Sequence, residues 1–386
     1  MSDDDRGRPR VAVLGQGWFP DDPGGLNRYV RDLLAAFAAD GEPLPAVVLG
    51  PAADTPGNVT VAGTAADPMA RRLRRFHAAA ARIAREADVV DAHFALYALA
   101  PFVLGPARRL GRVVHFHGPW AQETALMGRG GGSAHVARSA LERAAYRRAH
   151  EVIVLSSAFA RLVVEQYGIA PERVNVIPPG VDLVRFSPGS RAEARGRLGL
   201  RVDVPIVVCV RRLDPRMGLL VLLDAWAAVI GTLRARPLLL IAGEGDLRAE
   251  LERRAADLGG TVRILGRVDE EVLPLLYRAA DMSVVPSLAL EGFGLVTLES
   301  LACGTPVVAS DAGGLPEALN RFAPDAVVEA GDADALARRL AGALGGELPL
   351  PPPAACRAHA ERFRWEAAVA RHREVYRRAA AAAGRG

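Results

Sequence analysis

The sequence predicts an α/β protein of two doubly wound domains, on three observations. Short runs rich in Val and Ile recur along the chain, each followed by a helical pattern; most of the runs are predominantly apolar rather than alternating; and the series occurs twice, on either side of a proline-rich connector. A strand apolar on both faces belongs to a sheet covered on both sides, and alternation with helices implies parallel order.

The first series comprises residues 11–14, 46–49, 89–92, 113–116, 152–155 and 174–177, and the second residues 206–210, 238–241, 262–265, 282–285, 306–309 and 326–328. Between them lie Pro178-Pro179-Gly180-Val181-Asp182 and Phe186-Ser187-Pro188-Gly189. Proline continues neither strand nor helix here, so this is a stiff connector with the domain break near residue 190. The expected domains are 1–190 and 191–364, followed by a final helix in 365–386. Residues 345–353, with proline at four of the last five positions, form a second linker. Gly128 to Gly132 (Gly-Arg-Gly-Gly-Gly) have almost no side chain to hold them and predict a mobile loop. A ligand cleft is expected between two such domains, at the carboxyl ends of the strands.

The 386 residues suit two domains of common size, and 50% are hydrophobic, so burial is not limiting. No apolar run reaches the about 18 residues that span a membrane. The acidic start Met1-Ser2-Asp3-Asp4-Asp5 is not the start of a secretory signal, and a cytoplasmic protein is expected. Cys209, Cys303 and Cys356 are far apart and read as core thiols. All 48 basic residues are arginine, which excludes a lysine Schiff base and a P-loop lysine. The net charge of +4 is spread along the chain with no recognition helix, finger or aromatic platform, so no nucleic-acid partner is expected.

Several turns at strand ends carry chemistry. Gly15-Gln16-Gly17 ends the first strand, and Pro23-Gly24-Gly25-Leu26-Asn27-Arg28 opens a helix. Paired glycines there let backbone approach a phosphate or sugar ring; a plain turn reads equally well, and the spacing is not a dinucleotide fingerprint. His115-Phe116-His117-Gly118 puts two imidazoles on one face at the carboxyl edge of a strand. His117 is read as a contact to a substrate hydroxyl, with a structural histidine as the alternative; zinc lacks a third ligand at convincing spacing. Arg212 and Arg216, in Arg211-Arg212-Leu213-Asp214-Pro215-Arg216-Met217-Gly218, stand where guanidinium groups grip a diphosphate or lie solvated. Gly243-Glu244-Gly245-Asp246 is another strand-to-helix turn. Asp332-Ala333-Asp334 has metal-motif spacing but lies in a polar turn and reads as solvated.

The most informative stretch is Ala289-Leu290-Glu291-Gly292-Phe293-Gly294-Leu295-Val296-Thr297-Leu298-Glu299. A glycine-rich turn opens a helix between two carboxylates eight positions apart. Free N–H groups at the helix start attract an anion, and the carboxylates can accept hydrogen bonds from neutral hydroxyls. A nucleotide-sugar, diphosphate in the middle and polyol on both sides, fits that pattern.

The joint order of these motifs resembles the retaining glycosyltransferases of family 4, from Val11 to about Tyr376. The resemblance rests on Gly24-Gly25, His117-Gly118, Pro179-Gly180-Val181-Asp182, Arg212, Gly243-Glu244-Gly245, Glu291 to Glu299, Cys303-Gly304-Thr305-Pro306-Val307-Val308 and Phe363-Arg364-Trp365. It implies the GT-B fold, two facing Rossmann-like domains with the last helix crossing back to the first. It further implies that Glu299 holds the ribose hydroxyls and Glu291 lies near the donor sugar, with the N–H groups around Phe293, Gly294 and Leu295 facing sugar and phosphate. Arg212 matches the diphosphate-binding arginine and His117 the histidine beside the sugar's primary hydroxyl. Gly24 and Gly25 match the loop that closes on the donor phosphate, Gly243 is part of the donor site, and the base lies near Arg267-Val268.

One departure matters: where the family usually has a lysine before the glycine, this chain has Met217. A thioether cannot hold a phosphate, and the neighbouring Arg216 is expected to supply the lost charge. Arg364 stands where a helix-capping serine is common, with only a local effect expected. The implied reaction moves a sugar from a nucleoside diphosphate, UDP being the expected one, to an acceptor hydroxyl on a small molecule, lipid or growing glycan. The anomeric configuration is retained, and neither a metal nor another cofactor is required. The rivals are a nucleotide-sugar hydrolase or epimerase on the same scaffold and a non-catalytic nucleotide-binding protein; an NAD-linked dehydrogenase lacks its glycine fingerprint. Residues 68–85 carry six arginines and no acid, with Leu73, Phe76 and Ile83 among alanines. Such a helix either lies on an anionic membrane, a peripheral contact through Arg71 to Arg85, or is a plain surface helix.

Overall fold

The structure, a computed structural model, describes residues 8–51, 55–128, 131–234, 236–319 and 321–384. The acidic first five residues and part of the glycine run, Arg129 and Gly130, lie outside the described residues.

The strands in chain order are β1 (Val11–Gly17), β2 (Ala46–Leu49), β3 (Val59–Val61), β4 (Val89–Ala92), β5 (Gly111–Phe116), β6 (Glu151–Val154) and β7 (Val174–Val176). They continue with β8 (Ile206–Val210), β9 (Leu238–Ala242), β10 (Val262–Gly266), β11 (Met282–Val285), β12 (Val307–Ser310) and β13 (Val327–Val328). They form two sheets, of order β3-β2-β1-β4-β5-β6-β7 and β10-β9-β8-β11-β12-β13. Every pairing is parallel, as continuous apolar strands require. β3 was not expected; its three residues extend the edge beside β2.

The chain divides into two compact units, Val181–Arg364 being the second and the flanking segments together the first. Helices cover each sheet with apolar stripes. In the first unit Val30, Leu33, Leu34 and Phe37 line one side of the Gly25–Ala39 helix. In the second, Leu219, Leu222, Leu223, Trp226 and Val229 do so for Leu219–Thr232. The Trp365–Ala383 helix packs in the first unit, where Tyr376 OH donates to Asp91 Oδ2 at 2.6 Å. It passes so close to β5 that a Cβ on Gly111 would lie 2.7 Å from the Ala379 carbonyl carbon.

The break falls at Gly180/Val181 rather than near residue 190. Val181 N donates to Phe363 O at 2.8 Å, and Val181 bridges Arg364, so the two crossings of the chain are tied together there. The segment after Val181 is fixed to the second unit: Arg185 pairs with Glu270 at 2.9 Å, and Arg278 Nε donates to Ser187 O at 2.7 Å. The three cysteines are free and buried, and burial pushes each thiol up to about 12.

Candidate active site

In the second unit the carboxyl edge of β8, β9 and β11 gathers most of the expected site residues. The Leu295–Ala302 helix opens there with Gly294 as N-cap at φ 82°, and no side chain caps it. A Cβ on Gly294 would meet Leu315 Cδ2 at 2.4 Å, so glycine is required by both backbone and neighbour. The first turn has no side-chain cap, so this helix start carries the positive end of the helix dipole. In that turn Thr297 Oγ1 is buried with no partner among the described residues.

Glu291 precedes this turn. Its carboxylate is bonded by Arg211 Nη2 and accepts from Ser287 Oγ at 3.3 Å. Burial pushes the Glu291 carboxyl up, but Arg211, Arg216 and the Ser287 hydroxyl outweigh it and hold the group below its ordinary value. It is therefore an anion at neutral pH. Its backbone is pinned as well: Gly314 N donates to Glu291 O at 2.8 Å, and Leu290 before it holds φ at 54°, a strained value for leucine. Glu299 lies one helix face further, only 3% exposed, with Tyr277 OH donating to Oε2 at 3.1 Å.

Arg212 follows β8 with its side chain 43% exposed and paired with Asp214 Oδ2 at 3.0 Å. Arg216 Nη1 donates to Leu290 O at 3.2 Å, and its charge helps to lower the neighbouring Glu291 carboxyl. A further guanidinium, that of Arg211, bonds both Met217 Sδ and the Glu291 carboxylate; nothing in the sequence distinguishes it from Arg212. Gly243, φ 149°, packs against this loop: a Cβ there would lie 1.8 Å from Arg211 O. Arg267, exposed after β10, has its N–H held by Glu244 Oε1 at 3.2 Å, and Val268 beside it is half-buried.

In the first unit Gly25 opens its helix with Gly24 as N-cap, again without a side-chain cap. Nothing lies within 4 Å of a Cβ on either glycine. The turn is held from Asn27, which accepts from Gly17 N at 2.9 Å and donates to Asp22 O at 2.9 Å.

His117 belongs to a buried polar cluster at the ends of β4 and β5. His115 Nε2 donates to Asp91 Oδ2 at 3.1 Å, and His93 Nδ1 and His117 Nε2 share a hydrogen bond of 3.1 Å. Among the described residues no partner takes His117 Nδ1, which leaves one nitrogen for a hydroxyl. Burial, with His93 and His115 alongside, pushes His117 well below 6.5, so its ring is neutral at pH 7. His93 was missed; the alternation Asp91-Ala92-His93 at the end of β4 was its only signal. The three histidines place ligating atoms within 4.8 Å of one another. Their rings are near parallel, at 12° to 26°, with His93 and His115 stacked at 4.0 Å.

This cluster makes the first unit acid-sensitive. Burial lowers His93 from 6.5 to about 4 and His372 to about 3, and Asp91 is also held low, by His115 and His93 against the opposing effect of its burial. Below pH 6.5 the unfolded chain takes up protons that the folded one refuses, so stability falls with pH, by about 1.4 kcal/mol per unit and proton. Glu142, raised by burial from 4.5 to about 7, has the opposite sign and offsets part of this loss down to pH 4.5. Melting temperature should therefore fall on acidification and most steeply below pH 4.5; a flat profile between pH 6 and 4 would contradict these assignments.

In the Met69–Ile83 helix, Phe76 and Ala80 are buried, and Leu73 and Ile83 pack on the same core. Arg71, Arg74, Arg75 and Arg82 remain exposed. Among the described residues no helix is long and apolar enough to cross a membrane.

Comparison with known proteins agrees. Residues 23–185 match the family model described as glycosyltransferase family 4, and residues 190–362 match glycosyl transferases group 1. The chain is 33% identical over 383 residues to D-inositol 3-phosphate glycosyltransferase 1 of Catenulispora acidiphila, covering 93% of this chain and 91% of that one. It is 32% identical over 395 residues to the D-inositol 3-phosphate glycosyltransferase of Geodermatophilus obscurus, covering 93% and 87%. Among solved structures, sucrose-phosphate synthase from Thermosynechococcus elongatus superposes with a TM-score of 0.76 at 27% identity, over 96% of this chain and 99% of that one. Anabaena HepE in complex with UDP and glucose shares the fold at a TM-score of 0.75 and 23% identity, over 94% and 98%. Two parallel Rossmann-like sheets with these neighbours define a glycosyltransferase of the GT-B class. The chain belongs to glycosyltransferase family 4.

Proposed function

We propose that the enzyme transfers a sugar from a UDP-sugar to a hydroxyl of a small polyol, with the anomeric configuration retained. The observation that carries this is in the second unit: Glu291 and Glu299 flank an uncapped helix start, with Arg211, Arg212 and Arg216 on the Glu291 side. Departure of a diphosphate builds negative charge, and fixed guanidinium and N–H groups stabilise that charge without reorganising. In this reading they do so with no resident metal. The N–H groups of Phe293, Gly294 and Leu295 face the sugar and phosphate, Glu299 takes the ribose hydroxyls, and Arg267-Val268 lies against the base. Gly24 and Gly25 close on the donor phosphate. His117, neutral, offers Nδ1 to a sugar hydroxyl. Glu291 is held by Arg211 and Ser287 as an anion, so it serves as an acceptor for sugar hydroxyls and not as an acid. We therefore assign front-side attack, the departing phosphate oxygen taking the acceptor's proton.

The small-polyol acceptor follows the names of the full-length relatives, which act on D-inositol 3-phosphate. The arginine face of the Met69–Ile83 helix has no part in this reading. Leu73, Phe76, Ala80 and Ile83 are already packed on the core, so mainly its arginines would hold it to an anionic membrane.

The test is a thermal-unfolding panel of UDP, GDP, ADP and their glucose conjugates, followed by release of nucleotide from the best donor with and without myo-inositol 3-phosphate. We expect UDP to raise the melting temperature and release to depend on acceptor; a ligand at 100 times its Kd adds about 2.7 kcal/mol. No stabilisation by any nucleotide would contradict the reading, and acceptor-independent breakdown would favour a hydrolase.

A further inference from the structure

We propose that Arg211, and not Arg216, supplies the cationic group that Met217 leaves missing, and that it contacts the diphosphate of the bound donor. This rests on the donor-site reading above. Arg211 is the first residue beyond β8, and its side chain, 7% exposed, turns inward. Its Nη2 lies 3.0 Å from Met217 Sδ and also reaches Ser287 Oγ and the Glu291 carboxylate. The thioether sulfur occupies the place of the third side-chain carbon of a lysine, whose ammonium would stand two bonds further on. A guanidinium nitrogen against that sulfur therefore puts positive charge close to where a lysine at 217 would put it, delivered from another backbone position.

Two further observations point the same way. Arg211 Nε is buried with no partner among the described residues, a strong donor without an acceptor, although this alone does not set it apart from Arg216. A phosphate oxygen is the acceptor a planar guanidinium fits best. Arg211 is also the more deeply buried of the two, its charge shared with Glu291, so water screens it less from a bound phosphate than it screens the more exposed Arg212. Arg216 bonds the carbonyl of Leu290 and also acts on Glu291, whereas Arg211 is the guanidinium bonded to the Met217 sulfur.

The experiment compares affinity for UDP with affinity for UMP, and likewise for the guanosine and adenosine pairs, and donor turnover, in the parent, Arg211→Met, Arg216→Met and Arg211→Met with Met217→Lys. The parent should prefer diphosphate. Arg211→Met should lose about 10–100-fold of that preference, the worth of a charged hydrogen bond, and about 10²–10³-fold in turnover. Met217→Lys should restore most of both, and Arg216→Met should cost far less than Arg211→Met. If Arg211→Met does not fold, because Glu291 is left unpaired, the double variant decides alone, since it returns a cation beside that carboxylate. A diphosphate preference kept by Arg211→Met, or absent from a folded double variant, overturns the proposal while leaving the donor site standing. A parent with no diphosphate preference for any base overturns both.

Discussion

Glu291→Gln should lower kcat by about 10²–10³-fold while nucleotide affinity stays within about threefold of the parent. The carboxylate is held by Arg211 and Ser287, and its backbone by Gly314. The amide keeps the shape and removes the charge, so on the proposed reading the loss falls on the acceptor for the sugar, which matters most as positive charge develops on the ring. The nucleotide meets other groups. Glu299→Ala should therefore do the reverse, weakening nucleotide binding and leaving Tyr277 OH without its acceptor. Steady-state kinetics with calorimetric Kd values separates the two; variants that both match the parent would refute this division of roles.

The second large effect is on stability. Gly243→Ala should destabilise the second unit by about 3 kcal/mol, from a disfavoured φ and an enforced shift of the Arg211 carbonyl. The new methyl would lie 1.8 Å from Arg211 O at φ 149°, so the turn carrying Arg211 and Arg212 must move. For a unit of this size the melting temperature should drop by about 10 °C. Thermal unfolding followed by circular dichroism checks this; a drop below about 2 °C would mean that the turn yields freely. Glycine here serves close packing of two strand-end turns, and so keeps the guanidinium groups in place.

Much of this was legible because it is written in local patterns. Continuous Val and Ile runs such as Ile206–Val210 can only be strands covered on both faces, and they gave both sheets except β3. Glu291, Gly294 and Glu299 were found together because one turn and one helix set their spacing. What escaped was what three-dimensional proximity alone decides. Arg211 looks like Arg212 in sequence; only the inward turn after β8 separates the buried guanidinium from the exposed one. Arg216 was expected to supply the charge lost at Met217; only the fold shows that Arg211 also reaches the Met217 sulfur and that Arg216 bonds Leu290 O. His93, Tyr277 and Asn27 are linked to their partners through sheet order and helix packing, which no window of sequence contains. The boundary moved to Gly180 because Val181 pairs with residues almost two hundred positions later.

The most direct measurement is a crystal structure of the enzyme with UDP-glucose, at a resolution that fixes both phosphates. The account predicts the diphosphate against the first turn of the Leu295–Ala302 helix, within hydrogen-bond distance of Arg211 and Arg212, with the ribose toward Glu299. A diphosphate bound elsewhere on a folded chain, with that helix start facing only water, would contradict it.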